Sequence, residues 1–501
     1  MQAISQEDIV KRITLENPWW TGDHSINASY RSWKPRAYFD LFFPLVKMPS
    51  VRRAIVLMGP RRVGKTVMIL HTIQALLEEG ASPRSICYIS VDHPIYSGLG
   101  MDKLLTYYAQ ASGVDYGSEQ IYVFFDEVQY LRNWEVHLKA LVDTYPNIKP
   151  IASRSAAAAL RLKSDESGAG RFTDFLLPPL TFYEYLNLLD KTSLLEEPPV
   201  APGKDSKGTK GRRGSFFLAR DINLLNEQFV YYLNYGGYPE VIFSPLIQSD
   251  PARFIKSDII DKVLLRDLPS LYGIGDIQEL NHLFTTLAFN TANEVSLGEL
   301  SQDSGVAKNT IKRYIEYLEA AFLIKVVHRV DRNAKRFHRA NFFKVYLSNP
   351  SMRAALFSPV VADDSATPYL AETASFAQWF HGENTLYYAR WQDGEVDMVM
   401  LGAKQKPSWA VEVKWSDRYC DRPEELKSLG GFCQANRLSD PLVTSKTKTM
   451  TCQIDDIAIR FVPASVYCYT VGYNIIRGRK NLTLSQQLEI EDTEGDRGQS
   501  E

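Results

Sequence analysis

The octapeptide Gly59-Pro60-Arg61-Arg62-Val63-Gly64-Lys65-Thr66 constrains this chain more than any other stretch, because it fits G-x-x-x-x-G-K-[ST]. Glycines let the backbone curl so that consecutive N–H groups point at one anion. Lys65 then reaches the β- and γ-phosphates of a nucleotide, and the Thr66 hydroxyl ligates Mg²⁺. Context decides whether such a pattern is meaningful. Ala54-Ile55-Val56-Leu57-Met58 before it is a continuous apolar run, as in a buried parallel strand. Val67-Met68-Ile69-Leu70 and Ile73, Ala75, Leu76 and Leu77 after it continue as a helix, whose positive N-terminal end adds to the anion site. An ordinary glycine-rich turn would leave the Lys-Thr pair unexplained.

A phosphate loop needs a partner carboxylate. Ile121-Tyr122-Val123-Phe124-Phe125 ends in Asp126-Glu127, the Walker B arrangement. At the C-terminal edge of a parallel strand, Asp126 holds the Mg²⁺ shell and Glu127 orients or polarises the attacking water. A further strand, Ile148 to Ala152, precedes Ser153-Arg154-Ser155, where a polar residue can sense the γ-phosphate. Arg171, in Gly170-Arg171-Phe172, offers a fixed guanidinium. It reads either as an arginine finger that completes a neighbouring subunit's site or as a structural ion pair.

At 501 residues the chain is too long for one compact domain. A formal net charge of −2 gives no global field for nucleic acid or an anionic membrane, so such binding must come from local patches. The cysteines lack C-x-x-C spacing, which argues for a reducing cytoplasm and against structural zinc or a disulfide framework. No secretory apolar core is expected near the start, and no run of about 18 apolar residues suggests a membrane span. The composition divides the chain into a lead-in (1–40), a P-loop ATPase domain (41–195), a basic linker (196–214), a helical middle domain (215–350), a mixed region (351–485) and an acidic tail (486–501). The expected fold class is α/β: a P-loop NTPase parallel sheet, a helical middle domain read below as a winged helix, and a C-terminal mixed α/β domain whose nuclease-like character the resemblance given below implies.

GPRRVGKT, FFDEVQYLRNWE, ESGAGRFTDFLLPPLTFYEYL and NYGGYPE together resemble the predicted prokaryotic AAA-type ATPases that carry a DUF4143 C-terminal region. The resemblance implies Gly59 to Thr66 as Walker A, Asp126 and Glu127 as Walker B, and Arg171 as a candidate arginine finger. One departure stands out. Where such proteins read Thr-Gly-Ser, this chain has Ser153-Arg154-Ser155, and the arginine either blocks the nucleotide pocket or adds a phosphate contact.

In the middle region, Ser296 is placed to cap a short helix, and Ser304-Gly305-Val306 makes a turn. The next helix, about Ala307 to Ala321, has Ile311, Tyr314, Ile315 and Leu318 at i, i+3, i+4, i+7 spacing. Two strands, Phe322 to Val330 and Phe342 to Leu347, flank a basic stretch with Arg332, Lys335, Arg336, His338 and Arg339. That is the plan of a winged helix-turn-helix. Lys308, Asn309, Lys312 and Arg313 are its candidate nucleic-acid contacts, with the hairpin on phosphates. Winged helices also serve as protein–protein modules, and both readings stand.

Farther on, Glu395-Val396-Asp397-Met398-Val399-Met400 alternates like a strand, and Asp393-Gly394 joins it to Leu386–Trp391 as a hairpin. Glu412 and Lys414, in Trp409-Ala410-Val411-Glu412-Val413-Lys414, share one face of a neighbouring strand. Two carboxylates there make a hard-oxygen site for Mg²⁺ or Mn²⁺. The spacing resembles the PD-(D/E)XK nuclease superfamily. That implies Asp397, Glu412 and Lys414 as catalytic residues, and Glu372 on an upstream helix as a further acidic ligand. Two alternatives remain: an exposed sheet face with a Glu412–Lys414 ion pair, and a nuclease fold kept as an inactive binding platform.

Two functions follow. In the first, ATP and Mg²⁺ drive a cytoplasmic enzyme, expected to form a homo-oligomer, that binds nucleic acid, with DNA the expected partner, and cleaves it; a genome-defence role suits that architecture by analogy. In the second, the chain is a nucleotide-gated switch or scaffold that recruits a protein partner without cleavage.

Overall fold

The computed structural model describes residues 5–48, 52–115, 119–155, 170–198, 215–336, 341–382, 384–402 and 404–478. Most of the basic linker and all of the acidic tail lie outside these residues. The chain forms two compact units, Met1–Pro178 and Pro179–Gly478; Arg479–Glu501, which groups with the first, lies outside the described residues.

The first unit is built on a five-stranded sheet of β1 (Ala54–Gly59), β2 (Ile86–Ser90), β3 (Ile121–Asp126), β4 (Ile148–Ser155) and β5 (Phe172–Leu176). Its order is β2-β3-β4-β1-β5 and every pairing is parallel. The apolar runs read from the sequence are these strands. Ile55, Val56, Leu57, Val123, Phe124, Phe125 and Ile151 are fully or almost fully buried, because helices cover both faces of such a sheet. One strand, β4, lies between the P-loop strand and the Asp126 strand. A residue at its C-terminal end therefore sits beside both motifs.

Residues 5–20 pack onto the sheet edge. Ser5 caps the helix Gln6–Glu16 through a capping box with Asp8. Asn17 donates to the Tyr88 carbonyl at 2.8 Å and accepts from the Tyr88 amide at 2.7 Å. The indoles of Trp19 and Trp20 both donate to the Ile86 carbonyl. The backbone groups of edge strand β2 are thereby satisfied by side chains, which removes a template for strand addition.

The second unit contains a small ladder, β6 (Leu195–Glu196) with β7 (Leu218–Ala219), and a nine-stranded mixed sheet. Its strands are β8 (Glu294–Ser296), β9 (Ile324–Val330), β10 (Phe342–Leu347), β11 (Leu386–Trp391), β12 (Gly394–Leu401), β13 (Pro407–Glu412), β14 (Leu442–Ser445), β15 (Met450–Ile454) and β16 (Ile457–Pro463). The order is β15-β16-β14-β13-β12-β11-β9-β10-β8. β11, β12 and β13 form an antiparallel meander, preceded by the helix Thr367–Trp379 and followed by the helix Lys427–Asn436 and parallel strand β14. Two apolar clusters line this sheet: one around Phe229, Tyr232, Tyr346, Phe376 and Tyr467, the other around Val396, Val399, Phe432 and Phe461.

Two expectations change here. The division at residue 350 does not separate two sheets, since β8, β9 and β10 belong to the same sheet as the meander. Nor are β9 and β10 a free wing. β9 pairs with β10 on one edge and, in parallel, with β11 on the other, and residues 337–340 of the connection lie outside the described residues. Hydrophobic alternation fixed each strand but could not say which neighbours its two edges would take.

Candidate functional sites

The P-loop joins β1 to the helix Lys65–Glu78. Gly64 caps this helix at φ +93°, a conformation that strains any residue with a Cβ. Gly59 is needed for a different reason: a Cβ there would lie 2.3 Å from the Leu177 carbonyl oxygen. Lys65 is buried, and its ammonium donates to the carbonyls of Gly59 at 3.2 Å and Pro60 at 3.0 Å. The loop's own backbone thus holds the lysine beside the helix N-terminus.

Asp126 is 2% exposed and lies at the end of β3. Its Oδ2 accepts from the Thr66 hydroxyl at 2.7 Å and the Tyr88 hydroxyl at 2.9 Å. Its Oδ1 accepts from the Ser153 hydroxyl. Burial and the adjacent Asp126 charge push the Tyr88 phenol far up, so it stays a donor. Ser153 also accepts from the Glu127 amide at 3.0 Å, so one serine on β4 binds both Walker B residues.

Glu127 sits at φ +60°, an uncommon state for a residue with a side chain. Its carboxylate accepts from the Gln129 amide, and the other end of Gln129 accepts from the Ser155 backbone at 3.2 Å. A relay from β4 through Gln129 therefore fixes the Glu127 carboxylate. The residues fit a Mg²⁺-nucleotide. Thr66 and Asp126 already touch, and Asp126 is held by neutral hydroxyls that a cation can replace.

Arg154 does not meet these groups. Its side chain is 1% exposed, donates to the Met58 sulfur at 2.7 Å and lies 5.6 Å over the Trp134 ring. Successive strand residues face opposite sides, so Ser153 turns to Asp126 and Arg154 turns away. The arginine is thus held in packing on the face of β4 opposite Ser153.

Arg171 lies away from the phosphate loop of its own chain. The Ala54 amide donates to the Arg171 carbonyl, which puts Arg171 at the start of β5, while the P-loop leaves the other end of neighbouring β1. Five strand residues span on the order of 16 Å. The guanidinium is exposed and pairs with Asp143 at 2.5 Å, so within this chain Arg171 is an ion-pair residue.

Arg36 was not singled out in the sequence. It is buried and donates to the carbonyls of Val63 at 3.0 Å and Pro178 at 2.8 Å, fastening the phosphate loop to the end of the unit. Tyr88 and Gln129 were missed for the same reason. Their roles depend on contacts between strands, which no local pattern encodes.

In the second unit, the two helices read from the sequence are present as Leu297–Ser304 and Lys308–Ala320, the first capped by Ser296. Ile311, Tyr314, Ile315 and Leu318 are buried, while Lys308, Asn309, Lys312 and Arg313 are exposed.

Asp397, Glu412 and Lys414 converge. The Lys414 ammonium lies 2.7 Å from Glu412 Oε1 and 3.6 Å from Asp397 Oδ2. Asp397 Oδ2 also accepts from the Val413 amide at 2.9 Å. Glu412 Oε2 is buried and has no hydrogen-bond partner. Burial and the Asp397 charge push the Glu412 carboxyl up to about 7. Burial works against ionised Asp397 too, but Lys414 and Lys344 more than offset it and hold this carboxyl below its ordinary range.

Glu372 reaches the same cluster by another route. Its Oε1 accepts from the Lys344 ammonium at 3.0 Å and the Tyr346 hydroxyl at 2.7 Å. Lys344 also lies 2.6 Å from Glu395 Oε1 and 3.6 Å from Asp397 Oδ1. The expectation that Glu372, Asp397 and Glu412 form one three-carboxylate metal site is therefore corrected, because an ammonium stands between Glu372 and Asp397. Among the described residues no group of three or more His, Cys, Asp or Glu is arranged to hold a metal ion. Asp397 and Glu412, with the unbonded Oε2, fit at most a two-carboxylate ion.

Comparison with known proteins agrees with the first unit. Residues 51–186 match the family model described as AAA domain. Residues 226–361 match one described as a domain of unknown function (DUF8612), in place of the DUF4143 region that the resemblance implies. An uncharacterized protein of Haemophilus influenzae is 24% identical over 308 residues, covering 60% of this chain and 68% of its own length. An uncharacterized protein of Methanocaldococcus jannaschii, MJ1544, is 21% identical over 382 residues, covering 74% and 77%. Among solved structures, the Walker-type ATPase of Pyrococcus abyssi aligns at TM-score 0.36 and 15% identity, covering 64% of this chain and 94% of its own. The Aeropyrum pernix ORC1 protein in complex with DNA aligns at TM-score 0.31 and 12% identity, covering 68% and 95%. No helix among the described residues is long and apolar enough to cross a membrane. With its parallel sheet, phosphate loop and matched family model, the segment 51–186 is an AAA-type, ATPase-like P-loop domain.

Proposed function

We propose that this protein binds and hydrolyses ATP with Mg²⁺, and that the nucleotide state governs the engagement of nucleic acid by its second unit. The observation that carries the hydrolytic part is the Thr66–Asp126–Ser153–Glu127–Gln129 chain of hydrogen bonds. When bound, Mg²⁺-ATP supplies the phosphoanhydride and the neutralising cation. Lys65 and the amides of the loop bind and orient the phosphates, and Thr66 and Asp126 hold the metal shell. Glu127, fixed by Gln129, orients a water and takes up its proton at the carboxylate. The exposed face of Lys308, Asn309, Lys312 and Arg313 is the proposed nucleic-acid contact.

The test is nucleotide titration and phosphate release with the whole chain. Lys65→Ala is expected to weaken ATP binding about tenfold to 100-fold, the loss of a charge-assisted contact. Glu127→Gln is expected to keep binding and lose turnover. Unchanged affinity in the first variant, or unchanged turnover in the second, removes the reading.

A second reading, metal-dependent cleavage of nucleic acid, is favoured by the convergence of Asp397, Glu412 and Lys414 and by the buried, unbonded Glu412 Oε2. Asp397 and Glu412 would hold one Mg²⁺, which supplies an activated water. Lys414 would position charge at the phosphate. Incubation of plasmid and single-stranded DNA with Mg²⁺, comparing wild type with Asp397→Ala, decides it; equal products from both proteins reject cleavage at this site.

A further inference from the structure

The cluster in the second unit contains a lysine that no motif predicts. Lys344 lies on β10, in the middle region of the sequence, while Glu395 and Asp397 lie on β12 and Glu372 on the helix Thr367–Trp379. Its side chain is 3% exposed. The ammonium touches Glu395 Oε1 at 2.6 Å and Glu372 Oε1 at 3.0 Å, and Asp397 Oδ1 is 3.6 Å away. The Tyr388 ring lies 5.5 Å from the same nitrogen. Four carboxylates, Glu372, Glu395, Asp397 and Glu412, surround two ammonium ions, Lys344 and Lys414, with Arg390 on the outer oxygen of Glu395 at 2.7 Å.

We infer that Lys344 is the resident cation of this cluster: it fills the position between Glu372 and Asp397 that a divalent ion would otherwise take, so that Glu372 is a lysine partner and not a metal ligand. The argument is steric and electrostatic. A divalent ion shared by these carboxylates would sit about 2.0–2.6 Å from their oxygens. The ammonium already stands within bonding distance of two of them, and both cations do not fit the same space. Displacing it would strand a charged amine in a buried place, without the water that normally receives it. The same carboxylates supply the counter-charge that a buried ammonium needs. Tyr346 completes the arrangement by donating to the same Glu372 oxygen, at 2.7 Å. The two oxygens of Asp397 each face a different ammonium, Lys344 on Oδ1 and Lys414 on Oδ2.

The inference rests on the geometry of this cluster and is independent of ATP hydrolysis. Its test therefore uses nucleotide-free full-length protein in an Asp126→Asn background, which removes the metal ligand of the first unit. Mn²⁺ is titrated by calorimetry or by the loss of its free-ion paramagnetic signal. Glu372→Gln is expected to leave the Mn²⁺ isotherm of the parent protein unchanged. Lys344→Met, which keeps the length and removes the charge, is expected to raise Mn²⁺ affinity at least tenfold. The inference is overturned if the parent binds Mn²⁺ and Glu372→Gln abolishes that binding. It is equally overturned if a folded Lys344→Met protein binds Mn²⁺ no better than the parent. Should Lys344→Met fail to fold, the Glu372→Gln titration alone decides.

Discussion

The two polar centres of this molecule are both buried carboxylate sites, yet they are neutralised in opposite ways. Asp126 is surrounded by hydroxyls, from Thr66, Tyr88 and Ser153. Asp397 lies between two ammonium ions, from Lys344 and Lys414. A neutral donor can yield to a metal ion at the loss of one hydrogen bond, whereas a fixed cation must be expelled against Coulomb attraction. The first centre thus suits the mobile cation proposed for it, and the second carries cations of its own. A pair of acidic residues in a sequence does not reveal which kind of centre it will join.

The largest expected effect tests the fixed cation. Lys344→Met should destabilise the second unit by about 3–5 kcal/mol, as breaking a buried ion pair does, because it leaves several carboxylates without their counter-charge. Urea unfolding followed by fluorescence measures it. A loss below about 1 kcal/mol would make the two centres alike. The exchangeable site comes next. Asp126→Asn should lower phosphate release about 100-fold, the scale expected when one charged group of a catalytic centre is removed, while the unfolding midpoint moves little because the amide oxygen still accepts from Thr66 and Tyr88 and the amide N–H faces the Ser153 hydroxyl as a donor. Parallel loss of fold and turnover would contradict a separable metal role.

A smaller effect is a dependence on pH. Glu372 and Glu412 are both pushed up to about 7 by burial, from ordinary values of 4.5. Carboxyls whose values rise on folding favour the folded state while protonated. Their contribution is complete below about 4.5 and is lost as pH rises through about 7. Denaturation midpoints of the second unit should therefore fall over that window, and Glu372→Gln should flatten the slope. A midpoint that climbs from pH 4.5 to 7 and is insensitive to Glu372→Gln would break the assignment. The smallest effect concerns Arg171. Its exposed pair with Asp143 should make Arg171→Ala a change of less than about 1 kcal/mol, with ATP turnover unaltered. A large drop in turnover would restore a role at a neighbouring subunit's site.

The phosphate loop, its flanking strand and helix and the Asp126–Glu127 strand end were legible in the sequence, because each is encoded by adjacent residues. The buried stripe of Ile311, Tyr314, Ile315 and Leu318 was legible for the same reason, through helical spacing. Asp397 with Glu412 and Lys414 was readable as a set, but its electrostatics were not. Lys344 lies on β10, far from them along the chain, and enters only because the fold brings its ammonium against Glu395 and Asp397 of β12. The separation of Arg171 from the phosphate loop was hidden as well. Strand register decides it, and register depends on partners distant in sequence.

Local sequence thus determined the cradle proposed for a triphosphate: backbone curvature, a lysine and a hydroxyl all come from eight consecutive residues. Tertiary structure alone decided which charges face each carboxylate, that Arg154 is spent on Met58 and Trp134, and that Glu372 is matched to a lysine. The reason is range. Backbone conformation is set by near neighbours, whereas the charge state and the available space of a buried group are set by whatever the fold brings within a few ångströms of it.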